Sequence, residues 1–265
     1  MANDALTQAA IDSTLTTRWL GHPLTVFDAI PSTNNWLAEQ AAQGAPEGSV
    51  AVADVQTAGR GRMGRTWQSP PGAGVLFSLL FRPPAGVAPG QVGLAAAAGV
   101  AVGLAASLGV ETRLKWPNDV LINGKKVAGV LGDASFRDGR ADWVIVGIGL
   151  NANLAPADFP TPPPGGVAPT SLMAELGRPV DRATLLAALL AAIETRYEAL
   201  VAGEPQVGEW RRLSATLGQG VRVTGGVAVE GVAVDIAEDG SLLVRRADGD
   251  VVSVAVGDVS LRPVW

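Results

Sequence analysis

Residues 92–110 read VGLAAAAGVAVGLAASLGV, a run with no charged side chain and Ser107 as its one hydroxyl. As a helix it is long enough to cross a bilayer. Its composition argues against that use. Seven alanines and four glycines make up most of it, and such small side chains gain little on transfer into lipid. A helix that is apolar all round also belongs at the centre of a globular fold. The run therefore predicts a closely packed core helix, which the rest of the chain must cover. The N-terminus shows no basic region followed by an apolar run, so a cytoplasmic protein without a membrane partner is expected.

At 265 residues the chain can bury one large core and carry a small appendage. Hydrophobic residues make up 48% and charged ones 17%, which excludes disorder. There is no cysteine and one histidine, His22. Disulfides, thiol nucleophiles and Cys/His zinc sites are thereby removed. His22, between Gly21 and Pro23, reads as a turn residue and not as a catalytic base. A net charge of −5 argues against a general nucleic-acid coat. A DNA-binding winged helix-turn-helix needs roughly sixty residues, and only about thirty precede the first chemical motif, so no DNA partner is expected.

The skew toward Ala, Gly and Arg makes rare residues informative. The only lysines are Lys115, Lys125 and Lys126, against seventeen arginines. Six of the seven asparagines (Asn34, Asn35, Asn118, Asn123, Asn151 and Asn153) fall in the same few segments as the motifs below. Coding bias explains the scarcity but not the clustering.

Residues 49–56, 75–81 and 143–150 read as buried strands. Asn123-Gly124 between two apolar runs signals a type I′ hairpin. Residues 155–170 hold six prolines and read as a surface loop. Leucines spaced three and four apart over 181–202 predict an amphipathic helix capped by Asp181. After residue 214 short β-rich runs (221–224, 227–236, 241–246, 251–256) alternate with Gly225-Gly226, Asp239-Gly240, Asp248-Gly249 and Gly257-Asp258. That spacing predicts a small five-stranded barrel docked on the main domain. The domains expected are 1–213 and 214–265.

GRGRMGRTW at 59–67 satisfies two phosphate-binding patterns by letter. Gly59, Gly61 and Gly64 match the dinucleotide fingerprint, and Gly59, Gly64, Arg65 and Thr66 match a P-loop with Arg for Lys. Both motifs need a helix to start inside them. The continuation Gln68-Ser69-Pro70-Pro71-Gly72 cannot start one. No acidic residue lies between Asp54 and Glu111, so the ribose-binding carboxylate is missing too. What remains is a glycine loop presenting Arg60, Arg62 and Arg65 to a small anionic ligand. An RNA-binding loop is the rival, but it would come with basic and aromatic neighbours in a positive domain. Gly147 and Gly149 interrupt a buried strand, which is favourable where something must approach the backbone closely. Ser32-Thr33-Asn34-Asn35 supplies at least a helix cap for 36–42.

The set Ser32-Thr33-Asn34, Gln56, GRGRMGRTW (59–67), KWPND (115–119), GKKVAGVL (124–131) and GIGLNAN (147–153) closely resembles biotin protein ligases, from about residue 24 to 262. The resemblance implies an α+β fold: a mixed, largely antiparallel sheet flanked by helices, like a class II aminoacyl-tRNA synthetase, with a small C-terminal SH3-like barrel. It implies ATP and Mg²⁺ as cofactors, with the metal carried by ATP in place of a dedicated protein cage. Biotin and ATP would give biotinyl-5′-AMP, and the biotinyl group would pass to a lysine of a biotin carboxyl carrier protein. Lys115, Arg60 and Arg62 are implied as catalytic. Ser32, Thr33, Asn34, Gln56, Gly59, Arg60, Gly61, Arg62, Lys115, Gly129, Gly147 and Gly149 would bind biotin, the two strand glycines leaving room for its bicycle. Arg62, Arg65, Trp67, Lys115, Asn118 and Asn151 would bind ATP, with Trp67 on adenine. A lipoate–protein ligase shares this logic and is the near alternative. The oligomeric state stays open, a homodimer included.

Overall fold

The apolar run forms a helix from Pro89 to Leu108, buried along most of its length. It is the one helix among the described residues long and apolar enough to cross a membrane, and here it is the core. A computed structural model describes residues 6–162, 166–225, 228–255 and 257–262. In chain order the elements are α1 (Gln8–Asp12), β1 (Leu24–Ile30), α2 (Thr33–Ala42), β2 (Val50–Gln56), β3 (Gly74–Phe81), α3 (Pro89–Leu108), β4 (Thr112–Lys115), β5 (Asp119–Ile122), β6 (Lys125–Arg137) and β7 (Arg140–Asn151). Then follow α4 (Leu172–Leu176), α5 (Arg182–Val201), α6 (Val207–Leu213), β8 (Gly220–Thr224), β9 (Val229–Ile236), β10 (Leu242–Arg245), β11 (Val251–Val254) and β12 (Asp258–Arg262).

The small residues of α3 explain its place. A Cβ on Gly99 would come within 2.8 Å of the Ile193 Cα, and one on Gly103 within 3.0 Å of Leu189. The glycines therefore let α3 and α5 approach backbone to backbone, and leucines on α5 fill the remaining space. α5 begins as its sequence predicts, with the Asp181 carboxylate accepting from Thr184 N–H at 2.8 Å.

Seven strands form the main sheet in the order β1-β2-β3-β7-β6-β5-β4. Only β1 and β2 run parallel, so the sheet is mixed and largely antiparallel as expected. α2 packs Leu37 and Ala41 against Ala51, Leu80 and Ile145, while α3 and α5 belong to the larger cluster with Val52, Phe77 and Val146. Alternate residues of the strands thus point into two different apolar layers. The β5–β6 turn holds Asn123 at φ 49° and Gly124 at φ 72°, the pair of positive angles a type I′ hairpin requires. The helix at the Ser-Thr-Asn-Asn segment starts earlier than its sequence suggests, at Thr33, because Ser32 itself is the cap, accepting from Asn35 N–H.

The second sheet is antiparallel, in the order β11-β10-β9-β8-β12. Its five strands match the count expected, and Gly240 and Gly249 turn at positive φ as read. Gly226, Val227 and Val256 of the expected turns and strands, and Pro163 and Pro164 of the proline loop, lie outside the described residues. Trp116 ties the two sheets together. Its indole N–H donates to Gly240 O at 2.9 Å, and its backbone N–H donates to Thr216 Oγ1 at 2.9 Å. The KWPND segment, at the end of β4, is thereby fixed at the junction of the two units.

Candidate active site

The central strands and the start of α2 build a polar floor on an otherwise apolar sheet. Thr33 N–H donates to Gln56 Oε1 at 2.8 Å, and the Thr33 hydroxyl lies 3.1 Å from the same oxygen. Ser78, fully buried on β3, sits 2.7 Å from Thr33 Oγ1 and 2.5 Å from Asn34 Oδ1. The Asn34 amide then donates to Asp133 Oδ2 at 2.9 Å. Arg60, from the glycine loop, pairs with that same carboxylate oxygen.

Both strand glycines are required by close neighbours within the chain itself. A Cβ on Gly147 would lie 2.0 Å from Asn34 Oδ1, and one on Gly149 would lie 2.4 Å from the Trp67 indole. The side chains of Asn34 and Trp67 fill the space beside both glycines. The cavity lined by Thr33, Gln56, Arg60, Gly129, Gly147 and Gly149 accordingly holds only about 50 Å³. Trp67 forms one of its walls. The indole Nε1 is buried without a hydrogen-bond partner, and Lys126 Nζ stands 5.4 Å over the ring. Trp67 also faces a larger cavity shared with Arg65, Asn151 and the proline loop, so it divides the two spaces.

The glycine loop closes on itself as a short hairpin. Gly61 N–H donates to Arg65 O at 2.7 Å, and Trp67 N–H to Gly59 O at 3.0 Å. Gly59 carries no side chain because a Cβ would sit 2.3 Å from Trp67 O. Each loop arginine is engaged, which removes the picture of a basic loop open to RNA. Arg62 donates to Asn118 Oδ1 at 3.3 Å and to Gly257 O at 2.9 Å, and pairs with Asp258 at 3.5 Å. Arg65 pairs with Asp258 at 2.5 Å.

Lys115 and Lys126 supply the remaining positive charge. Lys115 ends β4, is 6% exposed, and faces a cavity with Arg65, Asn118, Asp119, Lys126 and Asp258. Burial pushes its pKa below the ordinary lysine value, Lys126 and Arg62 add to that, and Asp119 and Asp258 oppose it. Lys126 pairs with Asp119 at 2.5 Å and lines both this cavity and the Trp67 pocket. Both lysines thus face one cavity, Lys115 from the end of β4 and Lys126 from the start of β6. Sequence reasoning passed over Lys126, Ser78 and Asp133. The first carried a signal, being one of three lysines.

Comparison with known proteins fits this arrangement. The model of the biotin/lipoate A/B protein ligase family matches residues 26–151, and that of the biotin protein ligase C-terminal domain matches 216–262. The biotin–[acetyl-CoA-carboxylase] ligase of Mycobacterium tuberculosis is 37% identical over 238 residues, spanning 86% of this chain and 85% of its own. The chain belongs to the biotin protein ligase family. The bifunctional ligase/repressor BirA of Bacillus subtilis is 38% identical over 92% of this ligase and 76% of its own length. The Aquifex aeolicus biotin protein ligase, solved in complex with biotin and ATP, shares 30% identity and a TM-score of 0.77, covering 91% of this chain and 99% of that one. In this ligase the motifs of the resemblance therefore converge on one cleft, with the polar floor at one end and the cations at the other.

Proposed function

We propose that this cleft activates biotin with ATP to biotinyl-5′-AMP and then transfers the biotinyl group to a lysine of a biotin carboxyl carrier protein. The observation that carries the reading is the continuity of a neutral donor–acceptor floor with a cavity lined by Lys115, Lys126 and Arg65. A ureido ring suits the first, and a carboxylate beside a phosphate chain needs the second. Ser32, Thr33, Asn34, Gln56, Gly129 and Arg60 surround the ring. Lys126, which lines both cavities, holds the biotin carboxylate, and Lys115 faces the α-phosphate. Arg62 and Arg65 close over the phosphates, with Asn118 holding the Arg62 guanidinium. Trp67 leaves its place on Gly149 when biotin enters and meets the adenine near Asn151.

In the first step a biotin carboxylate oxygen bonds to the α-phosphorus and pyrophosphate leaves. Two anions meet there, and preplaced cations lower the barrier as charge shifts to the leaving group. Ordering of residues 59–65 over the mixed anhydride keeps water away. In the second step the acceptor amine bonds to the acyl carbon, sheds a proton and expels AMP. No covalent enzyme intermediate is needed, which suits a chain without cysteine. Mg²⁺ carried by ATP would neutralise its outer phosphates. The carboxylates facing the cavity, Asp119 and Asp258, are already engaged by Lys126 and Arg65, which suits an ion held by the nucleotide with Asn151 beside it.

The catalytic unit spans residues 1–213, folded like a class II aminoacyl-tRNA synthetase, and 214–265 is an SH3-like barrel. The enzyme works in the cytoplasm. Incubation with α-labelled ATP tests the reading. Labelled biotinyl-AMP should form with biotin and not with lipoate. Absence of adenylate with biotin, or equal turnover of lipoate, overturns it.

A further inference from the structure

Asp133 lies on β6, outside every motif of the resemblance, yet it terminates the chain of polar contacts across the pocket floor. Proton counting along that chain gives each group one role. The carboxylate accepts only, so the Asn34 amide nitrogen faces it and Asn34 Oδ1 is left as an acceptor. The Ser78 hydroxyl has one hydrogen, which goes to Asn34 Oδ1 at 2.5 Å. The hydrogen of Thr33 then bridges the 2.7 Å contact between Ser78 Oγ and Thr33 Oγ1, in preference to the longer 3.1 Å approach to Gln56 Oε1, which already accepts from Thr33 N–H. The Thr33 hydroxyl is left with lone pairs alone for the pocket. Beside it, Gln56 Oε1 is held by Thr33 N–H, so the Gln56 amide turns its NH₂ the other way. The floor presents the Thr33 oxygen as an acceptor, the complement of one N–H of a cyclic urea.

We propose that Asp133 is a positioning residue that sets this polarity, acting through Asn34 and Ser78 to make the Thr33 hydroxyl an acceptor for one ureido N–H. The proposal rests on the function given above. Arg60, on the same carboxylate oxygen, holds Asp133 beside Asn34 and links the loop to the floor. Removing Asp133 frees the Asn34 amide to turn over. Its other bond, to Leu131 O at 3.4 Å, is long and holds it weakly.

The test is steady-state adenylate formation by the full chain with biotin and two cyclic carbamate analogues, in which oxygen replaces one or the other ureido N–H. Asp133→Ala should raise KM for biotin about tenfold, the worth of one ordinary hydrogen bond, with kcat within about twofold. Asp133→Asn keeps an oxygen acceptor and should restore most of the KM. The analogue lacking the N–H accepted by Thr33 should show no change between wild type and Asp133→Ala. Ser78→Ala breaks the same chain from its buried side, and the double variant should be no worse than either single one. Equal loss for all three ligands, a loss in kcat, or additivity in the double variant would overturn the role of Asp133. Wild-type enzyme that forms no adenylate from biotin would instead overturn the function itself.

Discussion

The floor and the roof of the cleft are held by different forces. On the floor, Thr33, Asn34 and Ser78 are buried and joined by short neutral hydrogen bonds between elements of the rigid sheet. In the roof, Arg60 and Arg65 are about half exposed and held by ion pairs to Asp133 and Asp258. Exposed pairs of this kind contribute about 0–1 kcal/mol each, while unmaking a buried hydrogen bond costs about 1–3 kcal/mol. The floor is therefore the firmly held part of the cleft and the roof the weakly held part, which under the proposed function suits ring recognition below and exchange of partners above. A loop that must rearrange around ATP and then release AMP belongs at the weakly held end.

The largest effect should come from the cation between the two regions. Lys115→Ala should lower biotinyl-AMP formation about 10²- to 10³-fold, the range for removing one preplaced electrostatic group. Biotin binding, followed by a melting shift, should persist because the floor is untouched. Loss of both together would mean that floor and roof are one unit. The pH profile sharpens the same point. Burial lowers the pKa of Lys115, so its charge is lost, as pH rises, earlier than that of an ordinary lysine. Pyrophosphate release should fall along that alkaline limb, and Lys115→Arg should move the limb upward.

Gly147→Ala attacks the floor alone. The new Cβ would lie 2.0 Å from Asn34 Oδ1, and Asn34 cannot yield without breaking its contacts to Ser78 and Asp133. Overpacking of this kind costs about 1–3 kcal/mol. Melting temperature and biotin affinity should drop together. Gly132→Ala, on the neighbouring strand with open space around it, should change neither. A well-tolerated Gly147→Ala would show that the floor is as pliant as the roof.

The two regions also differed in how much of them could be read from sequence. The roof was legible because its chemistry is local: glycines and arginines within nine residues, in a stretch free of acids. Lys115 stood out through the scarcity of lysine. The floor was legible only in part. Gly147 and Gly149 announced that something approaches their backbone, but composition could not say that Asn34 and Trp67 do so. Ser78 is one hydroxyl in an apolar strand, and Asp133 alternates with apolar neighbours like any outward-facing strand residue. Their meaning depends on register: β3 and β6 flank β7, and the start of α2 lies over all three. Pairing between segments up to 99 residues apart is set by topology, not by local pattern. The core helix shows the opposite case, since its lack of charge and its spaced glycines already described how it packs.

Asp258→Ala should give the smallest effect and bears most directly on the roof. This carboxylate, at the start of β12, pairs with Arg62 at 3.5 Å and Arg65 at 2.5 Å, and so ties the loop to the C-terminal unit. Arg65 also lines the cavity that holds Lys115 and Lys126. Asp258 takes the place of an anion that ATP later supplies, and a bond exchanged during the cycle contributes little to its net balance. About 1 kcal/mol of loosening would speed dissociation of labelled biotinyl-AMP roughly fivefold, leaving biotin affinity unchanged. A release rate raised a hundredfold would show that the C-terminal unit, and not the nucleotide, holds the roof shut.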